Sequence, residues 1–228
     1  MGAFLIAFIV PMVLGFWAQH RVKSTFAKNL EVPVANGLTG AQVARRILDA
    51  NGLNEVPVEE TPGALSDHYD PRSRTLRLSE AHYHGRSVAA AAIAAHEAGH
   101  AIQHARRYAP LALRTFYVPL AALGSNLSIP LILLGAIFHW PTLLLAGVIL
   151  FSAVVLFQVL TLPVEFDASR RAKRILAESG LLTADHEARG VSSVLNAAAM
   201  TYVAATVQAV MTLLYYLYAL GLLGGRRQ

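Results

Sequence analysis

Long uncharged stretches alternate with polar segments along the 228-residue chain. Residues 2–19 carry no charge, no Asp, Glu, Lys or Arg occurs between Thr115 and Val164, and none occurs between Ala197 and Gly225. A helix of about 20 apolar residues is long enough to cross the hydrocarbon core of a bilayer. The pattern therefore predicts four membrane helices, at residues 1–19, 115–138, 142–162 and 199–223.

Two polar segments, residues 20–110 and 163–198, separate these membrane helices. Because two helices lie between the segments, both segments are expected on the same side of the membrane. Every Lys and Arg except Arg226 and Arg227 lies in or directly beside them, and positive residues favour the cytoplasmic side. The chain is therefore expected to be a multi-pass protein of the cytoplasmic (inner) membrane, with the polar segments in the cytoplasm.

The composition agrees with a protein whose main partner is the lipid bilayer. Hydrophobic residues make up 55% of the chain and charged residues 14%, against roughly 25% charged residues in soluble domains; the mean hydropathy is +0.46. The net charge of +5 comes from basic residues next to membrane helices, so it does not indicate a nucleic-acid partner. The absence of cysteine leaves His, Asp and Glu as the metal ligands available.

The first polar segment contains a predicted helix and a predicted β-hairpin. Thr39 is a suitable N-cap for a helix in which Val43, Ile47 and Leu48 form an apolar face. Residues 64–70 and 74–79 follow, and in the second of these runs apolar and polar residues alternate as in a strand. The hairpin has two interpretations: it is structural, or its edge strand holds an extended substrate by backbone pairing.

The strongest chemical signal is the HExxH pattern formed by His96, Glu97 and His100. The residues around it, 87–104, are rich in alanine and lack proline, which predicts a helix. Residues four apart share one face of a helix, so both imidazoles can bind the same metal ion. Glu97 is then placed to accept a proton from a water molecule held by that ion. The alternative is a helix with two surface histidines and no metal.

A catalytic zinc ion needs a third protein ligand. His104 is excluded because it lies about 12 Å along the helix from His96. Glu165 directly follows a predicted membrane helix, on the same side as His96, and is favoured; Asp167 either orients a ligand histidine or exchanges roles with Glu165. Both acids have a second interpretation, in which they only balance nearby basic residues. The remaining candidates are His68, His82, His84 and His186.

Five sequence motifs resemble the YugP-like family of neutral zinc metallopeptidases, which are membrane proteins of the gluzincin type. The motifs are residues 65–71, 77–79, 85–87, 96–100 and 165–169, and the resemblance covers nearly the whole chain. It implies zinc bound by His96, His100 and Glu165, with Glu97 as the general base. Related membrane peptidases of the HtpX type carry Asp four residues after the third ligand. Here that position is Ser169, and Asp167 is expected to act behind the metal ligands.

The expected fold class is a mostly α membrane protein with about four transmembrane helices and a small α+β zincin-like cytoplasmic domain containing one β-hairpin. The expected function is that of a membrane zinc endopeptidase that cuts polypeptides near the membrane surface. The alternative is a non-catalytic membrane zinc-binding module or partner scaffold; a transporter is disfavoured because the spans lack ionisable residues. Candidates for stabilising an oxyanion are His68, Tyr69, His82, His84 and Tyr202.

Overall fold

Most of the chain is helical in the computed structural model, which describes residues 5–222. A π-helical turn at Leu5–Ile9 leads into the first α-helix. The described elements are α1 (Val10–Leu30), α2 (Gly40–Ala50), β1 (Val58–Thr61), β2 (His68–Asp70), β3 (Thr75–Ser79), α3 (Glu80–Tyr83), α4 (Val88–Ala105), α5 (Ala109–Ile137), α6 (Pro141–Glu178) and α7 (Asp185–Ala219).

Within residues 5–222, four helical segments are long and apolar enough to cross a membrane: Leu5–Leu30, Ala109–Ile137, Pro141–Glu178 and Asp185–Ala219. The chain is therefore a mostly α multi-pass membrane protein, as its hydrophobic pattern predicted. The helix α6 has 38 residues, or roughly 57 Å at 1.5 Å per residue, which exceeds the roughly 30 Å of the hydrocarbon core. Its second half therefore extends into a polar segment.

The helices are longer than the membrane spans that the sequence predicted. The helix α1 continues to Leu30, and α7 begins at Asp185 in the second polar segment and continues into the predicted span 199–223. The ends of a helix do not locate the edges of the bilayer. The predicted span boundaries therefore stay predictions: 1–19, 115–138, 142–162 and 199–223. Residues 1–4 and 223, at the ends of two predicted spans, lie outside the described residues.

Contacts divide the chain into two compact units, of which the first is apolar. Its described residues are 5–18, Ala112–Pro163 and 201–222. Within it α5 and α6 approach closely at Gly147, where an added Cβ would lie 2.9 Å from the backbone of Ser128 and Ile132. Small residues at such contacts let membrane helices pack backbone to backbone.

The second unit, Gln19–Leu111 and Val164–Met200, contains a three-stranded sheet with the order β1-β3-β2. The strand β2 pairs antiparallel with β3, with Tyr69 opposite Leu76, which confirms the predicted hairpin. The strand β1 pairs parallel with β3 and was not predicted. Its sequence, Val-Glu-Glu-Thr, has no apolar alternation, and its residues are only partly buried or exposed.

The core of this unit forms where α4 packs against α2 and the sheet. Thr39 caps α2 in a capping box with Gln42, and Val43 and Ile47 of α2 are buried. The helix α4 is buried from Val88 to Gln103. Its alanines explain how a helix can be enclosed on all sides, since small side chains let neighbouring elements approach its backbone closely. The helix that carries HExxH is thus the centre of the unit.

A buried polar cluster ties the hairpin to α3. The Asp67 carboxylate accepts hydrogen bonds from the Ser79 backbone N–H at 2.7 Å and from the His82 ring, with Nδ1 2.7 Å from Oδ2. Burial by itself would raise the pKa of Asp67, but the hydrogen bond and charge of His82, with the hydrogen bonds from Ser79, hold the pKa below its ordinary value. The ionised carboxylate therefore stabilises the folded state.

Substituting Asp67→Asn should destabilise the protein by about 1–3 kcal/mol at pH 7, because a buried charged acceptor is lost. The folded-state pKa lies below the unfolded value of about 3.9, so the contribution is complete well above pH 4 and is lost as the pH falls through the folded-state pKa. Thermal unfolding in detergent between pH 2.5 and 7 should show wild type and variant converging at low pH. The exposed Asp49, paired with Arg45, provides the control Asp49→Asn. Parallel pH profiles for wild type and D67N would contradict the assignment.

Candidate metal centre

The helix α4 presents His96 and His100 side by side. Ser87 begins the helix, and its hydroxyl accepts a hydrogen bond from the Ala90 N–H at 3.2 Å. The two imidazole rings lie 4.7 Å apart, centre to centre, and nearly perpendicular. Both histidines are buried, so these side chains are not the surface pair that the alternative interpretation required.

Glu165, on α6, brings a carboxylate to the two histidines. Its Oε2 atom lies 3.1 Å from His96 Nε2 and 3.5 Å from His100 Nε2, and its side chain is only 3% exposed. One ligand atom from each of the three residues lies within 4.8 Å of the other two. The fold thus brings two histidines on adjacent turns of α4 together with Glu165, which lies 69 residues after His96 in the chain.

The group fits a zinc ion in both geometry and chemistry. Bonds of about 2.0–2.2 Å in a tetrahedral arrangement place ligand atoms roughly 3.3 Å apart, close to the 3.1 and 3.5 Å that separate Glu165 from the histidines. Two imidazoles and one carboxylate are a donor set of catalytic zinc sites, in which the fourth position stays open. His96, His100 and Glu165 can therefore hold the metal.

Hydrogen bonds fix the orientation of both imidazoles. His100 Nδ1 lies 3.0 Å from the Gln103 amide oxygen; since that oxygen only accepts, Nδ1 carries the proton and Nε2 keeps its lone pair. The Ser169 hydroxyl lies 3.2 Å from His96 Nδ1. Partners of this kind on the second ring nitrogen hold metal-ligating histidines in place and raise their basicity.

Asp167 lies one hydrogen-bond partner further from the metal group than the sequence suggested. It contacts Gln103 rather than a histidine: the Gln103 side-chain N–H donates to Asp167 at 2.9 Å and to the Val164 carbonyl at 2.8 Å. Asp167 is also paired with Arg171. The structure therefore contains the hydrogen-bonded series His100–Gln103–Asp167, whose middle member the sequence alone did not indicate.

Gln103 and Ser169 were each detectable by spacing, because they follow a ligand on the same helix by three and four residues. Neighbours at these distances share a helix face with the ligand. Without the packing of α4 against α6, however, many polar residues at such spacings are equally good candidates.

The electrostatics of the group favour a cation. Burial by itself would lower the pKa of His100, but the hydrogen bond and charge of Glu165, with contributions from Glu97 and Gln103, raise it above its ordinary value. A proton on His100 and a metal ion bound to it exclude each other, so these acids strengthen the binding of either one.

Glu97 is buried, with 7% of its surface exposed. Within residues 5–222 neither a hydrogen bond nor an ion pair engages its carboxylate. It differs in this from Glu165 and Asp167, and its oxygens are available to a water molecule or a substrate.

The other sequence candidates have different partners. His104 Nδ1 and the Tyr69 hydroxyl share a hydrogen bond of 2.9 Å. This partner lies outside the metal group, in agreement with the argument against His104 as a ligand. His82 belongs to the Asp67 cluster, and the exposed His84 lies 2.9 Å from Glu60. The exposed His68 faces the Ser66 carbonyl, Tyr202 belongs to the first unit and His186 lies at the start of α7.

Comparison with known proteins places the chain in a family. Residues 4–221 match the family described as "Putative neutral zinc metallopeptidase", and the chain belongs to it. The chain is 48% identical over 213 residues to the "Putative membrane protease YugP" of Bacillus subtilis (strain 168), covering 93% of this chain and 94% of that protein. No solved structure matches significantly. The protein is thus a multi-pass membrane protein of a zinc metallopeptidase family. Membership of this family supports a protease activity.

Substituting Glu165→Ala should reduce bound zinc from one ion per chain to less than about a fifth, because two histidines alone are a weak site. Asp167→Ala should keep the ion but weaken its affinity about tenfold or more, through the loss of support for Gln103. Elemental analysis after dialysis against buffered zinc measures both. Glu178→Ala, an exposed acid on the same helix, is the matched control. Zinc loss in D167A with zinc retention in E165A would show that Asp167, and not Glu165, is the third metal ligand.

Proposed function

We propose that this chain is a zinc-dependent endopeptidase of the membrane surface. The observation that supports the proposal most directly is the buried group of His96, His100 and Glu165 with the unengaged Glu97 carboxylate on the same helix. A purely structural zinc site is closed by four protein ligands. Here the described residues supply three ligands and an adjacent base, a combination suited to hydrolysis.

Zinc, Glu97 and the residues that orient the imidazoles have separate roles in the reaction. When bound, zinc supplies Lewis acidity, which polarises a peptide carbonyl and makes water reactive near neutral pH. Glu97 accepts a proton from the attacking water on a carboxylate oxygen and delivers it to the amide nitrogen as the carbon–nitrogen bond breaks. The hydrogen bonds of Gln103 and Ser169 keep the imidazoles in place during both proton transfers.

The position of Glu165 along α6 supports a site close to the membrane. Glu165 is the third residue after Leu162, the end of the predicted span, at a distance of roughly 4.5 Å along the helix. Substrates are then polypeptides in or at the bilayer. The basic residues of both polar segments support a cytoplasmic site.

Substituting Glu97→Gln should leave zinc content unchanged and reduce proteolysis by at least about a hundredfold, since general base catalysis contributes 10²–10⁴-fold. Mass spectrometry of the products should show cleavage inside the wild-type substrate, and not trimming from its ends. The exposed Glu31 provides the matched control Glu31→Gln. Full activity in E97Q would refute the assigned base, and zinc binding without proteolysis by the wild type would favour a zinc-binding module or scaffold.

A membrane-inserted substrate should be cleaved at least about tenfold faster than soluble casein, because a shared bilayer raises its effective concentration at the site. Cleavage by protein reconstituted in vesicles should be compared with cleavage in detergent, where the advantage should shrink. Equal rates on casein and on the inserted substrate in vesicles would contradict the membrane-surface assignment.

A further inference from the structure

A second cavity lies within the unit that carries the metal group. Its volume is about 790 Å³, within the roughly 300–1,000 Å³ typical of ligand pockets. It lies at the carboxyl ends of β1 and β3, between α1, the loop after β1 and the start of α3. None of its lining residues belongs to the metal group or its hydrogen-bond partners, so it is a separate feature.

The walls of this cavity are mainly apolar. Phe26 and Leu30 come from α1, and Pro62 and Leu65 come from the loop after β1. Leu30 is 39% and Leu65 51% exposed, which leaves apolar side chains at the mouth. Clustered exposed apolar side chains next to a cavity mark a binding site more often than isolated ones do.

The charges around the cavity carry both signs. Lys23, Glu60 and Glu80 line it, and Glu60 is paired with His84. A lining of one sign would favour a ligand of the opposite charge. The mixed charges here favour a ligand without net charge over an anionic or cationic lipid head group.

His82 contributes a polar group to this apolar lining. The residue is 2% exposed, and Asp67 and Ser79 both engage its Nδ1 atom, at 2.7 and 3.0 Å. Because a carboxylate only accepts hydrogen bonds, Nδ1 carries a proton. The second ring nitrogen, Nε2, accepts a hydrogen bond in a neutral ring and donates one in a charged ring. In the described part of the chain no hydrogen bond engages Nε2. A ligand in the cavity that carries both N–H and C=O groups can bond to it in either state.

The strand β1 offers a second polar surface. It lies at the edge of the sheet, with β3 on one side, and its last residues, Glu60 and Thr61, line the cavity. The backbone groups on the free side of an edge strand can pair with an added strand. An extended polypeptide supplies N–H and C=O groups both for β1 and for His82, whereas the hydrocarbon of an acyl chain supplies neither.

We propose that this cavity binds an apolar, uncharged segment of the polypeptide substrate in an extended conformation, apart from the residues that carry out hydrolysis. The inference rests on the proposed peptidase function. It adds the substrate class: polypeptides with an apolar segment at a distance from the bond that is cut.

Binding can be measured without hydrolysis in the Glu97→Gln protein, reconstituted in nanodiscs. The probe is a peptide of alternating valine and threonine with one p-benzoylphenylalanine, and mass spectrometry locates its photo-crosslinks. Crosslinks are expected on the lining residues of the cavity. Ala27→Trp fills the cavity from its exposed wall on α1 and should reduce crosslinking about tenfold, since the space for the peptide is lost. Ala50→Trp, at a position on α2 that is also exposed but lies outside the lining, should leave crosslinking unchanged.

Kinetics on a long substrate with an apolar segment provide an independent readout. In an otherwise wild-type chain Ala27→Trp should raise KM about tenfold and leave kcat within twofold, because binding is lost and chemistry is not. A fall in kcat at constant KM would overturn the inference. So would crosslinks outside the cavity, or native mass spectrometry showing a phospholipid that A27W displaces. Hydrolysis without cavity crosslinks would reject this inference alone, and cavity crosslinks without any hydrolysis by the wild type would reject the peptidase function alone.

Discussion

The close packing of α4 against α6 is the contact on which the metal group depends. At Gly99 an added Cβ would lie 3.0 Å from the Ala168 carbonyl oxygen, so a larger residue would require the two helices to shift by a few tenths of an ångström. The Gln103 side chain reinforces the contact by donating to Val164 and Asp167 on α6. Because Gly99 lies between the two histidines and Ala168 lies between Glu165 and Ser169, the contact also sets the distance between the ligands.

The same contact places several polar groups in a buried setting, where each needs a partner. Burying a carboxylate or an imidazole is unfavourable unless hydrogen bonds or opposite charges compensate. Ser169 and Gln103 supply these partners for the histidines, and Asp167 in turn accepts a hydrogen bond from Gln103. A divalent cation completes the compensation, so we expect metal binding and the stability of this unit to be coupled. Glu97 is the exception, since its carboxylate is left available for chemistry.

The sequence predicted those parts of the fold that depend on local patterns. Apolar length predicted the membrane helices, Thr39 predicted the start of α2, and the alternation around Leu76 predicted the hairpin. The parallel strand β1 escaped prediction because its partner lies 18 residues further along the chain and its own residues show no periodicity. The continuity of α7 from Asp185 into the membrane span was not predicted, because the change from polar to apolar residues marks the edge of the membrane span and a helix can continue across it.

For the site, the sequence by itself determined which residues can bind a metal on α4, because the spacing of His96 and His100 fixes their common face. It also favoured Glu165, from its position after a membrane helix and from the family resemblance. Only the tertiary structure decided that Glu165 rather than Asp167 lies beside the histidines, and that Gln103 and Ser169 orient them. Local spacing fixes the face of one helix, but the choice between two acids two residues apart depends on how that helix meets another, and this is a property of packing.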